Sequence, residues 1–251
     1  MTNPHGPPHS TPPFSPRVRP PGAGVVVAID GPAASGKSST AQWVARRLRF
    51  RHIDSGALYR AATAAVLRRH ESVKDQPWTE ADVLDAAHGI SLRPQGESFA
   101  PTLEDGLIEE EIRDANITRH VSRVAQMPRV REWVNEKVRL AAESKDVVVD
   151  GRDIGTVVFP DADVKIFLIA DPWERARRRL TQRRGHAPSD QNIAEETERL
   201  IQRDARDSIQ TIQAKDALVI DTTYLTQEEQ VERIVAVVQV VTRRPGDTSS
   251  H

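Results

Sequence analysis

The residues most able to do chemistry lie between 25 and 40, in VVVAIDGPAASGKSST. Gly31, Pro32, Ala33, Ala34, Ser35, Gly36, Lys37, Ser38 and Ser39 contain G-x-x-x-x-G-K-[ST] at every defined position. In such a loop, successive backbone N–H groups and a helix N-terminus face an anion, Lys37 reaches the β- and γ-phosphates, and the Ser38 hydroxyl can ligate Mg²⁺. The glycines matter because a Cβ would strain the turn or block the approach of a phosphate. The spacing predicts a nucleoside-triphosphate site; the plainer alternative is a glycine-rich turn between a strand and a helix.

Two further groups carry charge in suggestive places. DVVVDGR, from Asp146 to Arg152, reads as a buried parallel-type strand with Asp150, Arg152 and Asp153 clustered just past its carboxyl end, where ligands sit in open α/β sheets. The same letters would also suit an ordinary turn held by an ion pair. WERARRRLTQRRG follows Asp171-Pro172 and concentrates Arg175, Arg177, Arg178, Arg179, Arg183 and Arg184 on one helix. In a nucleotide kinase such a helix belongs to a mobile lid that supplies cations to a transferring phosphoryl group. A nucleic-acid patch is the rival reading, disfavoured because no RNP-like aromatic pattern or zinc pattern accompanies it. Arg60, about one and a half turns into a helix, either projects into the phosphate cleft or sits on the surface.

The elements that must position these groups alternate between strand and helix. Val25 to Ile29 is a continuous apolar run, as expected of a strand buried on both faces, and Ser38 to Phe50 continues as a helix. A short strand then ends in Asp54-Ser55-Gly56. The helix Ser55 to Arg69 follows, with Ser55 as a plausible N-cap, and then an amphipathic helix over Thr79 to Gly89. Ser91 to Leu107, broken by Pro94, Gly96 and Pro101, suggests short edge strands or a hairpin. Pro128 divides helices at Asn116 to Met127 and Arg129 to Glu143, the latter with Val130, Trp133, Val134, Val138 and Leu140 as a core stripe and Arg131 facing elsewhere. Val164 to Ala170 is a third buried strand, Asp171 and Pro172 begin the basic helix, and Gly185 to Gln191 is its flexible tip. A helix over Asn192 to Ile209, a strand over Leu218 to Asp221 and a closing helix over Thr226 to Arg244 complete the order.

Composition sets the outer limits. The 251 residues suffice for one α/β domain with an insertion, and a net charge of −1 offers no overall attraction to nucleic acid or anionic lipid. No membrane span is visible, and the lack of cysteine excludes a disulfide framework or thiolate metal site. Residues 1–24, with eight prolines, are expected to be a disordered tail rather than a secretory signal or transit peptide.

Taken in order, AIDGPAASGKSS, DSGALYR, VSRVAQMPRVR, VDGRDIGTVVFPDADVKIFLIA with ERARRR, RDARDS and DALVIDTT resemble the bacterial-type cytidylate kinases over about 25 to 235. DGRDIGTVVFP separates that family from adenylate, thymidylate and shikimate kinases. The resemblance implies transfer of the γ-phosphoryl of ATP to CMP or dCMP, with Mg²⁺, by a cytoplasmic monomer with no nucleic-acid or membrane partner. It implies an α/β P-loop kinase core over 25–245 with a parallel sheet of about five strands flanked by helices. A monophosphate-binding insertion near 70–125, an arginine-rich lid near 172–210 and a second disordered tail at 246–251 go with it.

Carried over by position, Ser122, Arg131 and Asp153 would bond the cytosine edge, Arg60 and Arg152 would hold the acceptor monophosphate, Arg203 and Asp207 would meet the ribose or its neighbourhood, and Ser55 would also belong to the CMP site. Lys37, Arg178 and Arg179 would neutralise the transferring group. The types agree with the chemistry: cytosine presents an N4 donor and acceptors at N3 and O2, whereas uracil would set a carbonyl against Asp153. One position departs from the pattern. Where the family carries an arginine shortly after RDARDS, this chain has Gln210, and the connection to DALVIDTT is shorter. Either the phosphate clamp lacks one cation, or Arg206 or a lid arginine such as Arg183 fills the gap.

Overall fold

The computed structural model describes residues 23–69, 78–104, 106–107, 110–184 and 186–242. The expected terminal tails lie outside these, apart from residues 23–24, as does Gly185 of the expected lid tip. Five strands form the parallel centre in the order β2 (Arg51–Asp54), β6 (Val147–Asp150), β1 (Val26–Asp30), β7 (Val164–Ile169) and β8 (Leu218–Asp221). This is the expected number, and the sheet does not stop there. A hairpin of β3 (Ile90–Gln95) and β4 (Ser98–Leu103) joins it through β4, which runs parallel to β2, and β5 (Gly106–Leu107) pairs with β4. Only Ser98 and Phe99 of β4 pair with β2, so Pro101 occupies a place where β2 requires no N–H.

The central strands are almost continuously apolar because both faces are covered. On one face Ile53, Val147 and Val149 pack with α2 (Ser55–Arg69), α4 (Ala115–Val124) and α5 (Pro128–Ala142), through side chains such as Leu58, Val121 and Val134. On the other, Val27, Ile29, Val148 and Ile166 meet α1 (Lys37–Leu48) and α8 (Gln227–Thr242) through Val44, Ile234 and Val238. Because the five strands are parallel, Asp30, Asp54, Asp150 and Asp221 all end at the same edge. That edge carries the site.

Helix boundaries follow local chemistry. Met127 is extended (φ −74°, ψ 115°), as the residue before a proline must be, so α4 ends at Val124 instead of Met127 and Pro128 becomes the first residue of α5. The short helix α3 (Glu80–Ala86) opens with a capping box between Thr79 and Asp82. Two expectations fail. Ser55 does not cap α2: the Asp54 carboxylate accepts from Ala57 N at 3.2 Å, while the Ser55 hydroxyl donates to Asp150 O at 2.8 Å. Leu140 is 64% exposed, because Val130, Val134 and Val138 set the buried face and residue 140 lies some 200° beyond Val138. The basic helix α6 (Pro172–Arg184) is capped by Asp171, whose Oδ1 accepts from Trp173 N and Glu174 N, and α7 (Asp190–Asp207) by Ser189.

Candidate active site

A cavity of about 1140 Å³ opens along the carboxyl edge of the sheet, between the glycine loop, α2, α4, α5 and the α6–α7 pair. At one end the chain leaves β1 and turns sharply. Gly31 (φ 148°) packs so closely on β7 that a Cβ there would stand 2.2 Å from Leu168 O, while Gly36 (φ 89°) has space but needs the left-handed backbone. Ala34 also takes positive φ, 57°, a cost that the surrounding contacts must bear. Lys37 is buried, and its ammonium donates to Pro32 O at 2.6 Å and to Ser35 Oγ at 3.3 Å. Burial, then the Arg152 charge, hold its pKa well below the usual lysine range, with Asp150 and Asp30 opposing. Residues 33–39 line the cavity, and Gly31 and Pro32 do not.

Asp150 is the hub beside this loop. Its Oδ2 accepts from Ser38 Oγ at 2.5 Å, its Oδ1 lies 2.7 Å from His52 Nε2, and its carbonyl accepts from Ser55. Asp54 is next to it; burial, then the Asp150 charge, push its carboxyl up to about 6. The hydroxyl and carboxylates here are hard oxygen groups suited to Mg²⁺. His52 carried no signal in the sequence, because an alternating strand position is as often plain packing as chemistry.

A second part of the lining is built from three elements. Ser122 on α4 is buried at the wall, and Arg131 on α5 forms an ion pair with Asp153 while donating to Ala125 O at 3.0 Å and lying 5.9 Å from the Tyr59 ring centroid. Asp153 begins a π-helical turn over Ile154–Val158, and both Asp30 carboxylate oxygens accept from this turn, at Ile154 N and Gly155 N, each at 2.8 Å. The last residue of β1 thereby fixes the segment that presents Asp153. Burial raises the Asp153 pKa, opposed by Arg131, and pushes Asp30 up to about 6, opposed by its two backbone bonds.

The lining also carries Arg60, Arg152, Arg179 and Arg203, the last three sharing two carboxylates. Arg60 donates to Thr118 Oγ1 at 3.1 Å, and Arg152 to Gly31 O at 3.3 Å. Arg152 and Arg203 share Asp207 Oδ2 at 3.6 and 3.5 Å, and Arg179 lies 3.0 Å from Glu196 Oε1. The buried Nε–H groups of Arg179 and Arg203 have no aligned acceptor. Burial lowers the pKa of Arg60 and Arg179 and takes Arg203 to about 10, the Arg152 charge adding to the last.

The cavity thus gathers Ser55, Arg60, Ser122, Arg131, Arg152, Asp153, Arg203 and Asp207, together with the glycine loop and Arg178 and Arg179. Arg178 is at the loop end with its guanidinium donating to Thr222 O and Thr223 O, at 2.5 and 2.6 Å. Gln210 and Arg183 are also at the wall, as are Asn135 and Arg113, which sequence reasoning did not single out as ligands. Among the described residues no group of three or more His, Cys, Asp or Glu has metal-site geometry, and no helix is long and apolar enough to cross a membrane.

Comparison with known proteins adds an independent line. The cytidylate kinase family model matches residues 27–240. A cytidylate kinase of Caldanaerobacter subterraneus subsp. tengcongensis is 42% identical over 223 residues, covering 87% of this chain and 96% of its own. Those of Acholeplasma laidlawii and Bacillus licheniformis are 40% and 39% identical, over 86% and 84% of this chain and 96% and 95% of theirs.

Proposed function

The chain belongs to the cytidylate kinase family, a nucleoside monophosphate kinase that phosphorylates CMP or dCMP with ATP, and from that premise we propose how its residues divide the work. The observation that carries the division is the shape of the cation group. The glycine loop and Ser122–Arg131–Asp153 line one cavity together with Arg60, Arg152, Arg179 and Arg203, and the Nε–H groups of Arg179 and Arg203 have no aligned acceptor.

The acceptor base sits against Ser122, Arg131 and Asp153, where a carboxylate accepts from the cytosine amino group and a guanidinium and a hydroxyl serve its N3 and O2. Asp207 and Arg203 hold the ribose side. Arg60 and Arg152, with Ser55 beside them, fix the monophosphate between the base pocket and the loop. The ATP triphosphate lies along the N–H groups of residues 34–39, and Lys37 exchanges its Pro32 carbonyl for phosphate oxygens. Ser38 would hold Mg²⁺, with Asp150 close by to orient it, and the ion would supply charge neutralisation across the phosphates.

No protein nucleophile is required, since the attacking atom is an oxygen of the acceptor phosphate, already largely ionised. An O–P bond forms to the γ-phosphorus as its bond to the β-phosphate oxygen breaks, giving CDP or dCDP and ADP. The protein contributes alignment and neutralisation, with Lys37, Arg178 and Arg179 as the cations nearest the transfer. Arg178 must release Thr222 and Thr223 to take that part, which is a motion expected of a lid.

The test is ADP release with ATP and Mg²⁺ in the presence of CMP, dCMP, UMP or AMP. Turnover dominated by CMP and dCMP is expected. A preference for another acceptor would overturn the base-pocket assignment, and ATP binding without turnover would mean that transfer activity has been lost.

A further inference from the structure

The peptide unit at Ala33, in the middle of the phosphate loop, is held from outside the loop. Its N–H donates to Asp204 Oδ1 at 3.0 Å, and its carbonyl accepts from Arg175 Nη1 at 2.7 Å. The two holders bind each other, Arg175 Nη1 lying 2.6 Å from Asp204 Oδ2, and the Arg175 side chain is only 4% exposed. A small apolar core surrounds the contact, with Ala33 packed among Ala176, Leu180, Ile193 and Leu200, and Ala34 against them. Ala34, at positive φ, lies directly beside this clamp.

Asp204 is the immediate neighbour of Arg203 and sits one turn before Asp207. The helix that turns Arg203 and Asp207 into the acceptor cavity therefore turns the residue between them onto the donor loop. Arg152, which shares Asp207, touches the same loop at Gly31 O. We infer that Asp204 and Arg175 are positioning residues that couple the two substrate sites: seating an acceptor against Arg203 and Asp207 fixes α7, and through Asp204 fixes the Ala33 peptide and with it the following loop N–H groups that face the phosphates of ATP. The inference rests on the placement of the acceptor given above. By linkage the coupling is reciprocal, so ATP also tightens the acceptor site. A purely structural clamp would instead weaken both sites or the fold while leaving their mutual effect untouched.

The measurement is isothermal titration of the full chain with a β,γ-imido analogue of ATP and Mg²⁺, with and without CMP, for the wild type, Asp204→Asn and Arg175→Lys. Wild type is expected to bind the analogue at least about 5-fold more tightly with CMP present, and Asp204→Asn less than about 2-fold. In steady state Asp204→Asn should raise KM for ATP more at saturating than at low CMP. An unchanged ratio in both variants, or no tightening in the wild type, overturns the inference. Should the variants fail to fold, amide exchange on the wild type decides: residues 31–36 must exchange more slowly with CMP alone, and an unchanged rate is refutation. CMP-dependent ADP release by the wild type keeps the two proposals apart, since turnover without coupling sinks only this one and absent turnover sinks the functional assignment itself.

Discussion

At the scale of single residues, the cavity wall gathers arginines, and on the proposed reading Asp153, one of several carboxylates there, selects the base. Asp153→Asn should lower the ratio of kcat/KM for CMP over UMP, because an amide can donate to the uracil carbonyl where a carboxylate cannot. Parallel measurement with the two acceptors checks it, and an unchanged ratio removes Asp153 from the base contact. Gln210 poses the opposite question, whether a missing cation leaves a gap. Arg206 is exposed and does not line the cavity, whereas Arg183 does, close enough for its charge to act on Arg60 and Arg179. Gln210→Arg should therefore leave KM for CMP unchanged or raise it by crowding. A several-fold lower KM for CMP at unchanged KM for ATP would show a vacant subsite.

At the scale of elements, β1 does two jobs through consecutive residues. Gly31 starts the phosphate loop in contact with β7, and Gly31→Ala should cost on the order of 3 kcal/mol or more, read from the urea midpoint, because its Cβ would overlap Leu168 O at 2.2 Å. A variant of wild-type stability would mean that the loop relaxes at little cost. Asp30, before it, holds the π-helical turn that presents Asp153. Its pKa is raised by burial from 3.8 to about 6, so between those values the native state binds a proton that the unfolded chain releases. The stability this contributes is complete below about pH 4 and lost as pH rises through about 6. The stability of the wild type relative to Asp30→Asn should thus fall by up to about 3 kcal/mol from pH 4 to pH 7. Urea melts across that range check the slope, and a constant difference would show that Asp30 does not titrate there.

At the scale of the whole molecule, the described chain is anchored where it enters the sheet. Val25 N donates to Asp146 Oδ1 at 2.7 Å and Val26 N to Asp163 Oδ2 at 2.8 Å, and the core on both faces is built from Val25 onward. Removing residues 1–20, which are poor in apolar side chains, should leave kcat and Tm nearly unchanged. A Tm lower by several degrees would mean that the tail docks on the domain.

The sequence by itself determined the parts that depend on near neighbours. The glycine loop with Lys37 and Ser38, the apolar strands on either side of it, the Asp171 cap and the break at Pro128 are written in spacings of a few residues, because turn chemistry and helix and strand periods act over that range. Resemblance added Arg131, Asp153, Arg203 and Asp207 as a set, without saying how they are held. Tertiary structure alone decided what touches them. Asp30 reaches a turn 124 residues away, Asp150 joins His52 to Ser38 across neighbouring strands, and Asp204 grips Ala33 from 171 residues downstream. Local periodicity marks which face of an element is apolar and leaves its polar side chains without an address. Which strand lies beside which, and how α7 is rotated over the loop, depends on the packing of the two apolar faces of the sheet, and those contacts exist only once that packing is made.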